Sequence, residues 1–221
     1  MGQRIGVLGG TFDPIHFGHL AIAEESRVVV GLDVVLFVPA RMQPLRQNQN
    51  VSSPDHRAAM IERAILGNPS FRLSRIEYER PGPSYTVDTM ALMHERFPRG
   101  SEFFFILGSD AIVDLPRWKD PERLISLCRF VILPRPGCDF DPRNLFLQFP
   151  RLRERAILLE GPRLEISSSD LRRRVRKGLP IRYQVPDDVE EYIRSHRLYA
   201  GPEGMQSPPA GTAETPGAPN A

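Results

Sequence analysis

Short apolar runs alternate along this chain with segments of helical spacing, and no other feature restricts its fold as strongly. The apolar runs are hydrophobic at consecutive positions, which is typical of strands buried on both faces of a sheet. They predict strands at residues 4–8, 33–38, 71–76, 102–107, 128–133 and 156–159. Helices are predicted at residues 19–30, 55–66, 87–97, 168–176 and 187–196. This order indicates an α/β fold with a doubly wound parallel sheet, whose ligand site lies at the carboxyl ends of the strands.

The carboxyl-terminal segment differs in composition from the rest of the 221-residue chain. Residues 201–221 contain five prolines and four glycines, and Met205 is their one large apolar side chain. A segment of this composition buries too little apolar surface to offset the entropy of ordering it. The sequence therefore predicts a single domain at residues 1–200 and a disordered tail, rich in proline, glycine and alanine, at residues 201–221.

The charge and hydropathy patterns exclude several classes of protein. The net charge of +2 is too small to favour nucleic-acid binding. Of the 29 basic residues 27 are arginine, which suits an anionic ligand, although a compositional bias explains most of them. The longest apolar runs fall far short of the ~20 residues of a spanning helix, and the amino terminus lacks a signal-peptide core. We expect a cytoplasmic protein with no nucleic-acid and no membrane partner.

The most specific stretch of the chain follows the first predicted strand. Residues 9–19 read G-G-T-F-D-P-I-H-F-G-H, which is neither the G-x-G-x-x-G fingerprint nor a lysine-bearing phosphate loop. Glycine lacks a Cβ atom, so Gly9 and Gly10 allow backbone N–H groups to approach an anion. The stretch therefore predicts a phosphate-binding loop of another kind.

Two histidines in this stretch lie three residues apart, where the next helix is expected to begin. That spacing puts His16 and His19 on one face, at the helix end that favours negative charge. Two imidazoles do not complete a metal site, but they can donate hydrogen bonds to phosphate oxygens whose charge grows in a transition state. Either histidine alone could be structural, whereas the pair around Gly18 favours phosphate chemistry.

The same residues resemble a known superfamily. The pattern His-x-Gly-His is the hallmark of a nucleotidyltransferase superfamily, and residues 9–19 as a whole are similar to the bacterial nicotinate-nucleotide adenylyltransferase family. The resemblance implies a Rossmann-like nucleotidyltransferase domain that transfers AMP from ATP to nicotinate mononucleotide, giving deamido-NAD and pyrophosphate in NAD biosynthesis. It also implies Mg²⁺ as the cofactor, bound through the ATP phosphates and not by the protein. The catalytic residues would be His16, His19 and Arg172, which stabilise phosphate charge during direct in-line attack.

Later segments extend the resemblance over most of the chain. Residues 84–86 are similar to the family segment that faces the pyridine carboxylate, and Thr86 is also predicted to cap a helix. Trp118 matches the ring that stacks on nicotinate, and residues 108–110 match the segment whose acid holds the adenylate ribose. Residues 166–172 match the segment that holds the ATP phosphates. Each could instead be an ordinary cap, turn or core residue, so their order along the chain carries the argument.

The resemblance thus implies two sets of binding residues. Those for ATP are Gly9, Gly10, Thr11, Phe12, Gly108, Asp110, Ile166, Ser167, Ser168 and Arg172. Those for the mononucleotide are Arg46, Ser84, Tyr85, Thr86, Trp118 and Arg135.

One segment departs from the family pattern. After its second strand the family usually shows Pro-Pro-His-Lys, whereas residues 43–46 read Gln-Pro-Leu-Arg. Arg46 still offers a cation to phosphate, but Leu45 donates no hydrogen bond. Two alternatives therefore stay open: an adenylyltransferase for another phosphate such as phosphopantetheine, and a nucleotide-binding regulator without turnover. The sequence also leaves open the choice between a monomer and a homo-oligomer, and the preference for nicotinate over nicotinamide mononucleotide.

Overall fold

The predicted parallel sheet is present. The computed structural model describes residues 2–42, 51–135, 137, 140–162 and 164–201. Within these residues the strands are β1 (Arg4–Gly10), β2 (Val34–Pro39), β3 (Phe71–Leu73), β4 (Glu102–Gly108), β5 (Arg129–Leu133) and β6 (Ala156–Leu158). They form one six-stranded sheet in the order β3-β2-β1-β4-β5-β6, and each neighbouring pair is parallel. The predicted doubly wound α/β fold is confirmed.

Helices connect the strands on both sides of the sheet. In the described ranges they are α1 (Phe17–Val30), α2 (Pro54–Ile65), α3 (Thr86–Arg96), α4 (Ser109–Ile112), α5 (Pro121–Leu127), α6 (Arg143–Gln148), α7 (Pro150–Arg155), α8 (Ser168–Arg176) and α9 (Asp187–Ser195). The sequence pattern does not predict α4 to α7, because these helices of four to seven residues are too short for helical spacing to show. Strand β3 is also shorter than predicted, since it ends at Leu73.

Two apolar clusters cover the two faces of the sheet. Met90 of α3, Leu124 of α5 and Leu152 of α7 pack with one set of strand side chains. Helices α1, α2, α8 and α9 cover the other set. All six side chains of β2 are buried, as expected for a strand covered on both faces.

The order of the strands determines where a ligand can bind. Strand β1 lies between β2 and β4, with Gly10 opposite Pro39 on one side and Leu8 opposite Ile106 on the other. The chain leaves β1 outward in one direction and later returns to its other side through β4. A crevice therefore opens between the carboxyl ends of β1 and β4, at the topological switch point of the sheet.

The starts of two helices test the predicted caps. Thr86 does not cap α3 as predicted: the cap position is Tyr85, whose backbone is extended, and Thr86 is already the first helical residue. Helix α8 follows the expected rule, because the Oγ atom of its cap Ser167 accepts a hydrogen bond from the backbone N–H of Asp170 at 3.2 Å.

Some predictions fall on residues outside the described ranges, namely those for Leu45, Arg46 and residues 202–221. Gly201, the first residue of the predicted tail, is buried, and a Cβ atom on it would lie 2.7 Å from Cγ of Arg176. Across the part of the chain that the structure describes, no helix combines the length and apolar character needed to cross a membrane.

Candidate active site

A cleft of about 700 Å³ opens at the carboxyl ends of β1 and β4. Of the predicted site residues that the structure describes, all except Ile166 line it: Gly9, Gly10, Thr11, Phe12, His16, His19, Ser84, Tyr85, Thr86, Gly108, Asp110, Trp118, Arg135, Ser167, Ser168 and Arg172. Ile166 instead packs against the apolar cluster beneath α1 and α8. Residues scattered over most of the chain are thus brought into one cleft by the order of the strands.

The aromatic residue of the loop after β1 is buried. Phe12 is 1% exposed and has a φ of 53°, a left-handed conformation that is uncommon for a residue with a large side chain. A Cβ atom on Gly10 would lie 3.1 Å from the Phe12 ring. Gly10 therefore makes room for this ring. The ring in turn meets His19 edge to face, with centroids 5.0 Å apart.

The two histidines form a stacked pair at the start of α1. Their ring centroids are 3.7 Å apart and their planes differ by 26°. The backbone N–H of His16 donates a hydrogen bond to Nδ1 of His19 at 3.3 Å, so the proton of a neutral His19 lies on Nε2. A Cβ atom on Gly18 would lie 3.0 Å from Nδ1 of His16. The glycine between the histidines therefore accommodates the His16 ring.

The surroundings of the pair favour the neutral imidazoles. Burial lowers the pKa of His16 to about 4, and the nearby positive charge of Arg135 acts in the same direction. Burial also places the pKa of His19 well below its ordinary value, with further contributions from His16 and Arg135. Near neutral pH both side chains are therefore neutral hydrogen-bond donors and not cations.

Two side chains of α8 connect its first turns to the loop after β1. Nη1 of Arg172 donates a hydrogen bond to the backbone oxygen of Asp13 at 2.7 Å, and Oγ of Ser168 donates to the backbone oxygen of Pro14 at 2.8 Å. These contacts hold the amino-terminal end of α8 beside the histidine pair. Because the first backbone N–H groups of a helix lack intrahelical partners, this end of α8 suits an anion.

A charged pair lies at the end of β4. Nε of Arg135 is 3.5 Å from Oδ2 of Asp110, and the backbone N–H of Arg135 donates to Oγ of Ser109 at 3.0 Å. Both charged side chains are about half exposed, so the ion pair itself adds little stability. The pair places one carboxylate and one guanidinium within reach of a ligand at this edge of the sheet.

The far end of the cleft is aromatic and cationic. Trp118 meets Phe105 edge to face, with centroids 5.9 Å apart. Nζ of Lys119 lies 4.9 Å from the centre of the Tyr85 ring and donates to Oδ2 of Asp88 at 2.9 Å. Tyr85, Trp118 and Lys119 all line the cleft, and such a surface suits a flat ring that carries a negative charge.

A largely buried carboxyl group supports the start of α3. Oε1 of Glu77 accepts a hydrogen bond from Oγ1 of Thr89 in the first turn of this helix at 2.7 Å. Just before the helix, Oγ of Ser84 accepts a hydrogen bond from the backbone N–H of Arg41 at 3.0 Å. Burial raises the pKa of Glu77. Glu77 thus anchors the first turn of α3, and Ser84 connects the residues before it to the segment after β2.

Comparisons with known proteins agree with this geometry. Residues 7–174 match the family model described as cytidylyltransferase-like. A probable nicotinate-nucleotide adenylyltransferase from Roseiflexus sp. (strain RS-1) is 55% identical over 196 residues, which are 88% of this chain and 97% of the relative. One of the same name from Thermomicrobium roseum is 42% identical and covers 97% of this chain and 99% of the relative. The chain belongs to the nicotinate-nucleotide adenylyltransferase family.

A solved structure supports the same assignment. Nicotinic acid mononucleotide adenylyltransferase from Plasmodium falciparum, complexed with NaAD, superposes with a TM-score of 0.75 at 25% identity. The match covers 89% of this chain and 97% of that one. The family and the enzyme class predicted from the sequence, a nucleotidyltransferase, are confirmed.

The structure adds residues that the family motifs do not point to. Asp13 lies within the first motif but has no predicted role, and Arg57, Glu77 and Lys119 lie outside the motifs altogether. The sequence could have pointed to Lys119 as a site residue, because Lys119 adjoins Trp118 and is one of only two lysines in the chain. Arg57 and Glu77 carry no local signal, since most of their partners are 12 to 46 residues away in the sequence.

No cluster of three or more histidine, cysteine, aspartate or glutamate side chains that could hold a metal ion occurs within the described ranges. The cleft itself offers two imidazoles and a few separate carboxylates. A donor set of this kind suits Mg²⁺ that arrives on a nucleotide, because Mg²⁺ keeps several waters and few protein ligands.

Proposed function

We propose that this chain transfers AMP from ATP to nicotinate mononucleotide and releases deamido-NAD and pyrophosphate. The observation that carries the proposal is one continuous cleft. The neutral histidine pair lies at one end, which we call the phosphate end, and Tyr85, Trp118 and Lys119 lie at the other. A cleft of about 700 Å³ has the volume that small-ligand sites require.

The reaction needs no covalent intermediate. A phosphate oxygen of the mononucleotide, already ionised at neutral pH, forms a bond to the α-phosphorus of ATP. The bond between that phosphorus and the oxygen leading to the β-phosphate breaks, and pyrophosphate leaves with the electron pair. No proton has to be removed from the nucleophile, so the protein's task is to align two anions and stabilise the charge that shifts between them.

The phosphate end of the cleft is suited to that task. We assign His16 and His19 to the α- and β-phosphates, as neutral donors held in place before the substrate arrives. Arg172 and Ser168, with the first turn of α8, would hold the β- and γ-phosphates. The backbone of Thr11 and Phe12 completes the cradle. Mg²⁺ belongs to the substrate in this scheme, as MgATP.

The remaining residues divide between the two nucleotides. Asp110 would bind the ribose of ATP, beside the backbone of Gly9, Gly10 and Gly108, with Ser167 and Ile166 at the start of α8. Residues 84–86 and Trp118 would bind the pyridine ring and its carboxylate, with Arg135 between the two substrates. Arg46, which lies outside the described residues, stays a predicted phosphate ligand of the mononucleotide.

A pyrophosphate-release assay tests the proposal. The full chain is supplied with MgATP and, in separate reactions, with nicotinate mononucleotide, nicotinamide mononucleotide or phosphopantetheine. We expect the largest kcat/KM with nicotinate mononucleotide, with deamido-NAD identified by mass. Faster turnover of phosphopantetheine would replace the proposed substrate. ATP binding without turnover of any of the three would instead indicate a nucleotide-binding regulator.

A further inference from the structure

A buried carboxylate lies under the phosphate end of the cleft. Asp13 is 1% exposed, and each of its side-chain oxygens has a donor. Oδ1 accepts a hydrogen bond from the hydroxyl of Tyr199 at 2.6 Å, and Oδ2 accepts from the backbone N–H of Ser52 at 3.1 Å. A buried carboxylate is costly unless it is bonded in this way. The position of Asp13 therefore depends on these two donors.

The same residue orients a side chain of the phosphate site. The backbone oxygen of Asp13 accepts the 2.7 Å hydrogen bond from Nη1 of Arg172. When one nitrogen of an arginine donates a hydrogen bond to a carbonyl that is held in place, that bond orients the planar guanidinium group. The remaining N–H groups then point in defined directions. A shift of the Asp13 backbone would therefore move the guanidinium that we assign to the β- and γ-phosphates.

A buried arginine bonds to the backbone on either side of this carboxylate's contacts. Nε of Arg57 donates to the backbone oxygen of Ser52 at 3.0 Å, and Nη1 donates to the backbone oxygen of Thr11 at 2.9 Å. The peptide groups of Ser52 thus lie between the Arg57 cation and the Asp13 anion. Arg57 therefore holds the segment whose N–H group donates to Asp13.

Tyr199 supplies the most distant contact of this network. It lies 186 residues from Asp13, in the turn after α9, with a φ of 63°. Burial and the adjacent Asp13 carboxylate raise the pKa of its phenol, so the hydroxyl stays protonated and acts as a donor. The turn after α9 is therefore hydrogen-bonded to the loop between β1 and α1.

We propose that Tyr199 is a positioning residue for the ATP phosphates. Its hydroxyl holds the Asp13 carboxylate, and the Asp13 backbone then fixes the orientation of Arg172. This inference rests on the proposed function, because only that function tells how the substitution should change the kinetics. The effect of Tyr199 on nucleotide binding can still be measured without the second substrate.

The test compares two tyrosines of the same terminal segment. Tyr199→Phe removes the hydroxyl that bonds to Asp13. The control Tyr192→Phe removes a hydroxyl that contacts Nδ1 of His56 at 3.0 Å. Neither Tyr192 nor His56 lines the cleft. In the full-length protein, affinity for a non-hydrolysable ATP analogue is measured by calorimetry, with steady-state kinetics and thermal unfolding alongside.

We expect Tyr199→Phe to weaken binding of the analogue by about tenfold, because an unmade hydrogen bond to a buried charged group is costly. The KM for nicotinate mononucleotide should stay within about twofold, and Tyr192→Phe should bind the analogue like the wild type. Unchanged analogue affinity in Tyr199→Phe, or an equal loss in Tyr192→Phe, would overturn the inference.

A double-mutant cycle separates positioning from general loosening. If Tyr199 acts through Arg172, Tyr199→Phe should have less than about a twofold effect in an Arg172→Ala background. A full additional loss in that background contradicts the mechanism. Should Tyr199→Phe fail to fold, Asp13→Asn takes its place in the cycle with the same two outcomes. A wild type that binds the analogue but makes no deamido-NAD would refute the proposed function and leave the binding comparison intact.

Discussion

The two ends of the cleft are built in different ways. At the phosphate end, Phe12, Asp13 and His16 are each at most 4% exposed, and Ser168 and Arg172 donate hydrogen bonds to backbone oxygens. At the other end, which we call the pyridine end, Glu77 and Thr89 are largely buried, but the cation that lines the cleft is more exposed: the side chain of Lys119 is 49% exposed where it pairs with Asp88. Buried and backbone-anchored donors keep one geometry, whereas exposed ion pairs rearrange at little cost. Under the proposed function, the end with the histidine pair is therefore preorganised for phosphate charge, and the end with Trp118 can adapt to the pyridine ring.

The largest expected effect is at the preorganised end. His19→Ala removes a neutral donor whose tautomer is set by the backbone of His16, and it should lower kcat by about 10²–10³. Steady-state kinetics with saturating MgATP and nicotinate mononucleotide measure this loss. His196→Ala, which removes an exposed histidine that does not line the cleft, serves as the matched control and should leave kcat within about twofold. A loss below threefold for His19→Ala would end its assignment as a catalytic residue.

A second test concerns the way in which the burial of His16 makes the stability of the protein depend on pH. Its pKa is about 4 in the folded protein and near 6.5 in the unfolded chain, so below pH 6.5 the unfolded chain binds a proton that the folded protein does not. The contribution of His16 to the free energy of unfolding is therefore complete above pH 6.5 and is lost as the pH falls toward 4. The linked free energy of unfolding is about 3 kcal/mol.

Urea unfolding at pH 7 and pH 4 measures this linkage. On acidification, the wild type should lose about 3 kcal/mol more stability than His16→Asn, in which the titrating group is absent. Asparagine is suitable because His16 is the amino-terminal cap residue of α1, and asparagine is preferred at that position. Equal losses in the two proteins would mean that His16 titrates normally and that the site is not held neutral by burial.

The smallest expected effect is at the adaptable end. Trp118→Ala should raise the KM for nicotinate mononucleotide by about three- to tenfold, the worth of one aromatic contact, and leave the KM for ATP nearly unchanged. Tyr183→Ala is the control, since Tyr183 is 80% exposed and does not line the cleft. Equal increases in both KM values for Trp118→Ala would contradict stacking on the pyridine ring.

The difference between the two ends also explains which residues could be predicted from the sequence. His16 and His19 are neighbours in the chain, and a spacing of three residues places them together on any helix. Ser84 bonds to the backbone of Arg41 only because the segment after β2 and the start of α3 meet in the folded protein. No local pattern reveals such a contact.

The glycines show a similar limit. The sequence pattern predicts that Gly10 lets backbone N–H groups approach an anion, and it places Gly18 between the two histidines. In the structure their missing Cβ atoms make room first for the rings of Phe12 and His16. A glycine signals that something approaches closely, and the fold decides what approaches.

The sequence by itself determined the alternation of strands and helices, the glycine-rich loop after β1 and the face shared by its histidines. These follow from short-range spacing, because period and turn chemistry act between residues that are close in the chain. Only the tertiary structure decided the neutral state of the histidines, the supporting carboxyl of Glu77 and the contact between Asp13 and Tyr199. Those depend on burial and on pairs as far as 186 residues apart, which come together only when the sheet is assembled and covered on both faces.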